Sequence, residues 1–156
     1  MLNMTNNAED PHLQEETKDF QSLDGLRVLL VDDNEDSLIL TTFILENIGL
    51  QVKTATSVSQ ALETIKQSKF DILISDIAMP EMDGYSLIRN IREGSISEQR
   101  EIPAIALTAL SSDESRSMAL DSGFQSYVNK PVEPTVLLGE IKRLISKSKT
   151  FPQSPQ

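Results

Sequence analysis

The sequence predicts an α/β fold, a doubly wound, five-stranded parallel sheet with helices on both faces. Three observations predict it. Short apolar runs alternate five times with segments whose apolar residues recur at helical spacing, the pattern of a parallel sheet with crossover helices. The runs Leu26–Val31 and Ile72–Ile74 are nearly all apolar instead of alternating, as in strands buried on both faces. Carboxylates follow close behind both: Asp32 and Asp33 after the first, Asp76 after the second. Right-handed crossovers bring the strands' carboxyl ends to one edge, where open α/β sheets bind ligands.

In chain order, Leu26–Val31 is the first strand, and Asn34 or Asp36 is a suitable N-cap for a helix over Leu38–Ile48. In that helix Leu38, Thr41 or Thr42, Leu45 and Ile48 recur at helical spacing, and Gly49 suits the position after its end. Val52–Ala55 is a short, more polar strand, as expected at a sheet edge. Val58–Ile65 is a helix capped by Ser57 or Ser59, with Ala61, Leu62 and Ile65 inward. The third strand ends at Asp76, and Met79-Pro80 and Asp83-Gly84 break the chain after it. Tyr85–Arg92 is the third helix, Ser95–Glu101 a polar loop and Ile102–Leu107 the fourth strand. Ser111 with Glu114 forms a capping-box pattern for a helix with few apolar residues beyond Met118 and Ala119. That helix is the least hydrophobic and is expected to be the most mobile. Gln125–Val128 is the fifth strand, and Pro134–Ser146 the last helix, with Leu137, Leu138, Ile141, Leu144 and Ile145 inward. Gly139 inside it should cost about 1 kcal/mol relative to Ala. The expected organisation is a flexible polar segment over 1–23, of which Asp19–Leu23 can pack on the domain edge, a folded domain over 24–147 and a polar tail over 148–156.

Composition narrows the function. The chain has 156 residues and a net charge of −10, which disfavours a duplex nucleic acid or an anionic membrane as partner. An acidic chain of this kind suits a hard cation held by oxygen. There is no cysteine, hence no disulfide frame, thiolate zinc site or sulfur nucleophile. No apolar run is long enough to cross a bilayer, and Met1–Asp10 lacks the apolar core of a signal peptide. A cytoplasmic protein is expected. The only histidine, His12, lies in the polar lead-in and is read as solvated.

A sheet order of 2-1-3-4-5 sets the first and third strands side by side and puts Asp32, Asp33 and Asp76 in one pocket, with Thr108 and Lys130 along the same edge. Adjacent carboxylates repel, and a divalent cation would offset that repulsion; the plainer use of these acids is as helix caps and turn residues. Asp33 and Asp76 each have an oxygen for Mg²⁺, and Asp32 suits one of its waters. Asp76 could then attack an electrophilic phosphorus and form an acyl phosphate. Lys130 would pair with one phosphoryl oxygen, the Thr108 hydroxyl would bond another, and small Ala109 leaves room. An EF-hand reading fails: counting from Asp32, Ser37 stands at the sixth position and Phe43 at the twelfth.

The elements L-L-V-D-D-N, S-D-I-A-M-P-E-M-D-G, A-L-T-A and V-N-K-P, spread over Gly25–Ser146, resemble the response-regulator receiver domains of two-component phosphorelays. The resemblance implies a flavodoxin-like (βα)5 fold; the order 2-1-3-4-5 is that family's known order and is not dictated by the spacing. It implies Asp76 as phospho-acceptor and Asp32 and Asp33 as the acidic pair, with the main-chain carbonyl of Ala78 as a further Mg²⁺ ligand. Thr108 would be the switch hydroxyl, Lys130 the phosphate-binding lysine and Tyr127 the switch aromatic, and the Lys130–Pro131 bond would be cis. The implied partners are a histidine kinase or histidine phosphotransfer protein upstream and a protein target downstream. Such a domain is not an enzyme beyond its own phosphotransfer and dephosphorylation. With ten residues after the last predicted helix, no DNA-binding output domain is expected. The lead-in L-x-G-L-R-V-L-L-V-D-D-N also resembles receivers of hybrid histidine kinases.

Three other readings compete. A haloacid-dehalogenase-type hydrolase needs a second Asp two positions after its nucleophile, where Asn34 follows Asp32. A flavodoxin needs a Ser/Thr/Gly-rich loop after the first strand, where the acidic pair stands. A receiver fold used as an unphosphorylated scaffold is normally marked by a lost pocket residue, and none is lost here.

Overall fold

A computed structural model of the chain describes residues 23–79, 83–109 and 112–150. The elements are β1 (Arg27–Val31), α1 (Glu35–Asn47), β2 (Gln51–Ala55), α2 (Val58–Gln67), β3 (Ile72–Asp76), α3 (Gly84–Arg92), a 3₁₀ turn (Ser97–Gln99), β4 (Ala104–Thr108), α4 (Asp113–Ser122), β5 (Ser126–Asn129) and α5 (Pro134–Thr150). All strand pairs are parallel and the order is β2-β1-β3-β4-β5, as predicted. Residues 1–22 and 151–156, and with them most of the expected polar segments, lie outside the described residues, as do Pro80 and Ser111.

The near-continuous apolar strands are explained by two cores, one on each face. Successive side chains of a strand point to opposite faces. Leu29, Val31, Leu73, Ala104 and Ala106 pack with Val58, Ala61, Leu87, Ile88 and Ala119 of α2, α3 and α4. Val28, Leu30, Ile72, Ile74 and Ile105 pack with Leu45 of α1 and Leu137 and Ile141 of α5. β2, at the edge, buries only Ala55.

Several boundaries differ from the sequence expectation, each for a local reason. α1 begins at Glu35, three residues early, because the Asn34 side chain accepts the Ser37 N–H at 2.9 Å and caps it. Its core residue in the middle turn is Thr41. β4 begins at Ala104 rather than Ile102, since Pro103 has no N–H for the ladder. The α4 cap is Ser112, which accepts the Ser115 N–H at 3.1 Å. α5 continues to Thr150, so the expected boundary at 147 falls inside a helix. Leu23, in the part of the lead-in expected at the domain edge, is buried against the α1 and α5 side of the sheet.

Candidate functional site at the carboxyl ends of the strands

The sheet order makes the site. β1 and β3 are neighbours, with Val31 paired to Ser75, so Asp32 and Asp76 leave adjacent strands side by side. Carboxylate oxygens of Asp32, Asp33 and Asp76 all lie within 4.8 Å of one another. Asp32 and Asp76 are buried, while Asp33 is exposed at the mouth. Lys130 arrives from the end of β5 and spans the two buried acids. Its Nζ lies 2.8 Å from Asp32 Oδ2 and 3.5 Å from Asp76 Oδ2. The Lys130 N–H donates to the Thr108 carbonyl at 2.7 Å, which ties the lysine's backbone to the residue carrying the buried hydroxyl. The Lys130–Pro131 bond is cis.

The electrostatics follow from burial. Removal from water pushes the Asp76 carboxyl up to about 6; the Lys130 charge pulls against the rise and the Asp32 charge adds to it. Burial alone would depress the Lys130 ammonium, but its hydrogen bond to Asp32 and the charges of Asp76 and Asp32 outweigh that, so it is raised. Asp32 Oδ1 accepts the Asn34 N–H at 2.9 Å while its Oδ2 holds the lysine, and Asp76 is held by the same lysine and the Ile77 N–H.

The donor set fits a magnesium ion. Mg²⁺ prefers hard oxygen ligands and keeps several waters. Here three carboxylates converge, two walled in and one open to solvent. Burial keeps the Asp76 carboxyl raised despite the Lys130 charge beside it, and a cation in the pocket would favour its ionised form. Ala78 is exposed on the loop after β3, two residues beyond Asp76.

Two further features were not read from the sequence as parts of this site. Gly84, the first residue of α3, packs directly on the main chain of Asp76. A Cβ there would collide with the Asp76 carbonyl and stand 3.0 Å from Ile77 Cα. Its N–H donates to the Ile77 carbonyl at 2.8 Å, closing the loop after β3. The signal was present as Asp83-Gly84, but a turn glycine and a close-approach glycine look alike in sequence. Tyr85 is the second: it is buried, its hydroxyl reaches the Ser115 carbonyl of α4 at 3.4 Å, and it lies near Tyr127. Tyr127 itself is half-buried on β5, paired with Ala106 and packed against the core under α2, α3 and α4.

A parallel sheet with an acidic trio and a lysine at its switch point defines a class of doubly wound α/β domains, and comparison with known proteins narrows it. The family model of the response regulator receiver domain matches residues 28–142, and the chain belongs to that family. It is 42% identical over 119 residues to an uncharacterized 14.6 kDa protein encoded in the sodA1 3′ region of Leptolyngbya boryana, covering 76% of this chain and 89% of that one. It is 35% identical over 120 residues to the sensor histidine kinase RcsC of Salmonella typhimurium, covering 77% of this chain and 12% of the kinase. Among solved structures, the receiver domain of sensor histidine kinase PA1611 from Pseudomonas aeruginosa, described with a magnesium ion coordinated in its active site cleft, superposes with a TM-score of 0.72 at 30% identity, covering 78% of this chain and 98% of that one. The chain is therefore a receiver domain of two-component signalling. No helix among the described residues is long and apolar enough to cross a membrane.

Proposed function

We propose that this receiver takes a phosphoryl group on Asp76 in a Mg²⁺-dependent reaction and uses it to switch a protein-binding surface. The observation that carries this reading is the convergence of a buried Asp76 with Asp32, Asp33 and Lys130 at one strand edge. Asp32, Asp33, Asp76 and the main-chain carbonyl of Ala78 would hold the cation. Bound there, it would supply the positive charge that offsets the repulsion between carboxylates and incoming phosphoryl oxygens. The magnesium described in the related PA1611 receiver supports this assignment.

The donor is a phosphohistidine of a histidine kinase or phosphotransfer protein, a reading supported by similarity to a sensor histidine kinase. An Asp76 carboxylate oxygen attacks the phosphorus. The phosphorus–nitrogen bond breaks, its electron pair leaves with the imidazole, which is then protonated, and an acyl phosphate remains on Asp76. Lys130 turns its ammonium from the free carboxylate to a phosphoryl oxygen, and the Thr108 hydroxyl donates to another. The phosphoryl group adds nearly two negative charges, and the drawn-in Thr108 lets Tyr127 move inward. The change is a shift between two populations of one fold.

Intact mass tests it. Wild type incubated with Mg²⁺ and a small phosphodonor should gain one phosphoryl group, and should not without Mg²⁺. Asp76→Asn should gain none. Labelling of the Asp76→Asn protein would overturn the assignment, and failure of the wild type with both a phosphodonor and a cognate phosphohistidine donor would favour a purely binding role.

A further inference from the structure

We propose that α4 works as a lever hinged at its C-terminal end, with the Tyr85 hydroxyl as the latch on its free end. The two ends of the helix are held very differently. At the C-terminal end, Arg89 Nη1 donates to Ser122 Oγ at 3.0 Å. Arg92, which is half-buried, puts Nε and Nη2 on the Gly123 carbonyl at 3.1 and 2.8 Å and Nη1 on the Arg100 carbonyl at 2.7 Å. Gly123 has φ +128° and faces the Arg92 side chain so closely that a Cβ would lie 3.0 Å from Arg92 Cγ. Phe124 is buried just beyond, and the Gln125 N–H donates to the Ala104 carbonyl at 2.9 Å. The chain is thus fastened to α3 and β4 at residues 122–125.

The N-terminal end has little. No residue of α4 before Ala119 is buried, and Met118 stands 46% exposed. Among the described residues, a single hydrogen bond reaches this half from another element: Tyr85 Oη donates to the Ser115 carbonyl at 3.4 Å. That is long for an O–H donor, so the bond is weak and easily released. Tyr85 is well placed to respond to the site. It follows Gly84, which lies against the Asp76 main chain, and it lies near Tyr127. A displacement at Asp76 or Tyr127 therefore reaches the latch through a single residue and frees the helix end nearest Thr108, while residues 122–125 stay in place. The trigger rests on the reading of Asp76 above; the hinge and latch do not.

Hydrogen exchange on the full chain tests both. Without Mg²⁺, Tyr85→Phe should speed exchange of the Arg116–Ala119 amides roughly two- to fivefold, the size of one modest hydrogen bond, and leave Ser122–Gln125 unchanged. Arg89→Ala should do the reverse, loosening 122–125. Equal effects of Tyr85→Phe along the whole helix, or none at 116–119, would overturn the proposal. Adding Mg²⁺ and beryllofluoride to the wild type should alter exchange at 113–119 and spare 122–125. Bound beryllofluoride that moves both ends alike would also overturn it. If beryllofluoride does not bind, the Asp76 reading fails, and the unliganded comparison of the two variants still decides the hinge.

Discussion

Asp76 is held in a state it does not favour. Its carboxyl sits near 6 against an ordinary value of 3.8, with burial the largest cause. The sign of the consequence is fixed by linkage. The folded state binds this proton more tightly than the unfolded state, so its stabilising contribution is complete below 3.8 and is lost as pH rises through about 6. In Mg²⁺-free buffer, Asp76→Asn should therefore be more stable than wild type at pH 7.5, by on the order of 2 kcal/mol, and the advantage should vanish near pH 4. Urea unfolding of both proteins across that range checks it; equal stability at pH 7.5 would mean that Lys130 already neutralises the site. Lys130 carries the opposite load. Lys130→Ala leaves Asp32 and Asp76 buried without a cation and should cost about 3 kcal/mol without metal. Mg²⁺ should then raise the melting temperature of the variant more than that of the wild type, because the ion replaces the missing charge. The residues of this pocket were legible in sequence because each ends or closely follows a strand. What was not legible was how they are partnered: Asp32 takes the Asn34 N–H and the nearer contact of the lysine, and neither leaves a mark on residue type.

Among the elements, two glycines separate close approach from idle flexibility. Gly84 has no room for a Cβ because the Asp76 carbonyl occupies the space. Gly84→Ala should cost about 1–3 kcal/mol and weaken Mg²⁺ binding, since the Asp76 main chain must give way. Gly139, in the middle of α5, has nothing within 4 Å of where a Cβ would stand, and Gly139→Ala should stabilise by about 0.5–1 kcal/mol without touching the site. Thermal unfolding and Mg²⁺ titration of the two variants measure the contrast. Helix existence and type followed from periodicity, whereas starts and stops depended on caps. Asn34 drew α1 three residues toward the site, Ser112 in place of Ser111 set the start of α4, and Pro103 delayed β4. Each is a single hydrogen bond gained or missing, which hydrophobic spacing does not encode. The weak packing of α4, by contrast, was visible in its composition and reappears as Ala119 and Ser122 alone being buried.

At the scale of the whole molecule, continuous apolar strands carried the parallel sheet and the two-sided core, because they admit few other arrangements, while the strand order came from the family resemblance. Sequence did not separate the faces of α1. Leu38, Thr41 and Leu45 are buried, yet Ile39, Leu40 and Phe43 are 69%, 49% and 64% exposed, so apolar residues surround the helix and its period is blurred. That exposed cluster begins about one turn from the N-cap beside the acidic trio, on the order of 6 Å along the axis. A protein that delivers a phosphoryl group to Asp76 has to cover this region, and contiguous exposed apolar side chains mark such contacts. A small phosphodonor has no need of it. Phe43→Ser should therefore slow phosphotransfer from a phosphohistidine protein about tenfold or more, as expected for losing a central apolar contact, and leave labelling by the small donor unchanged. Single-turnover transfer measured with both donors separates the outcomes. Equal slowing with both would mean that the substitution disturbs the pocket itself, and no slowing with either would place the donor's contact on another face.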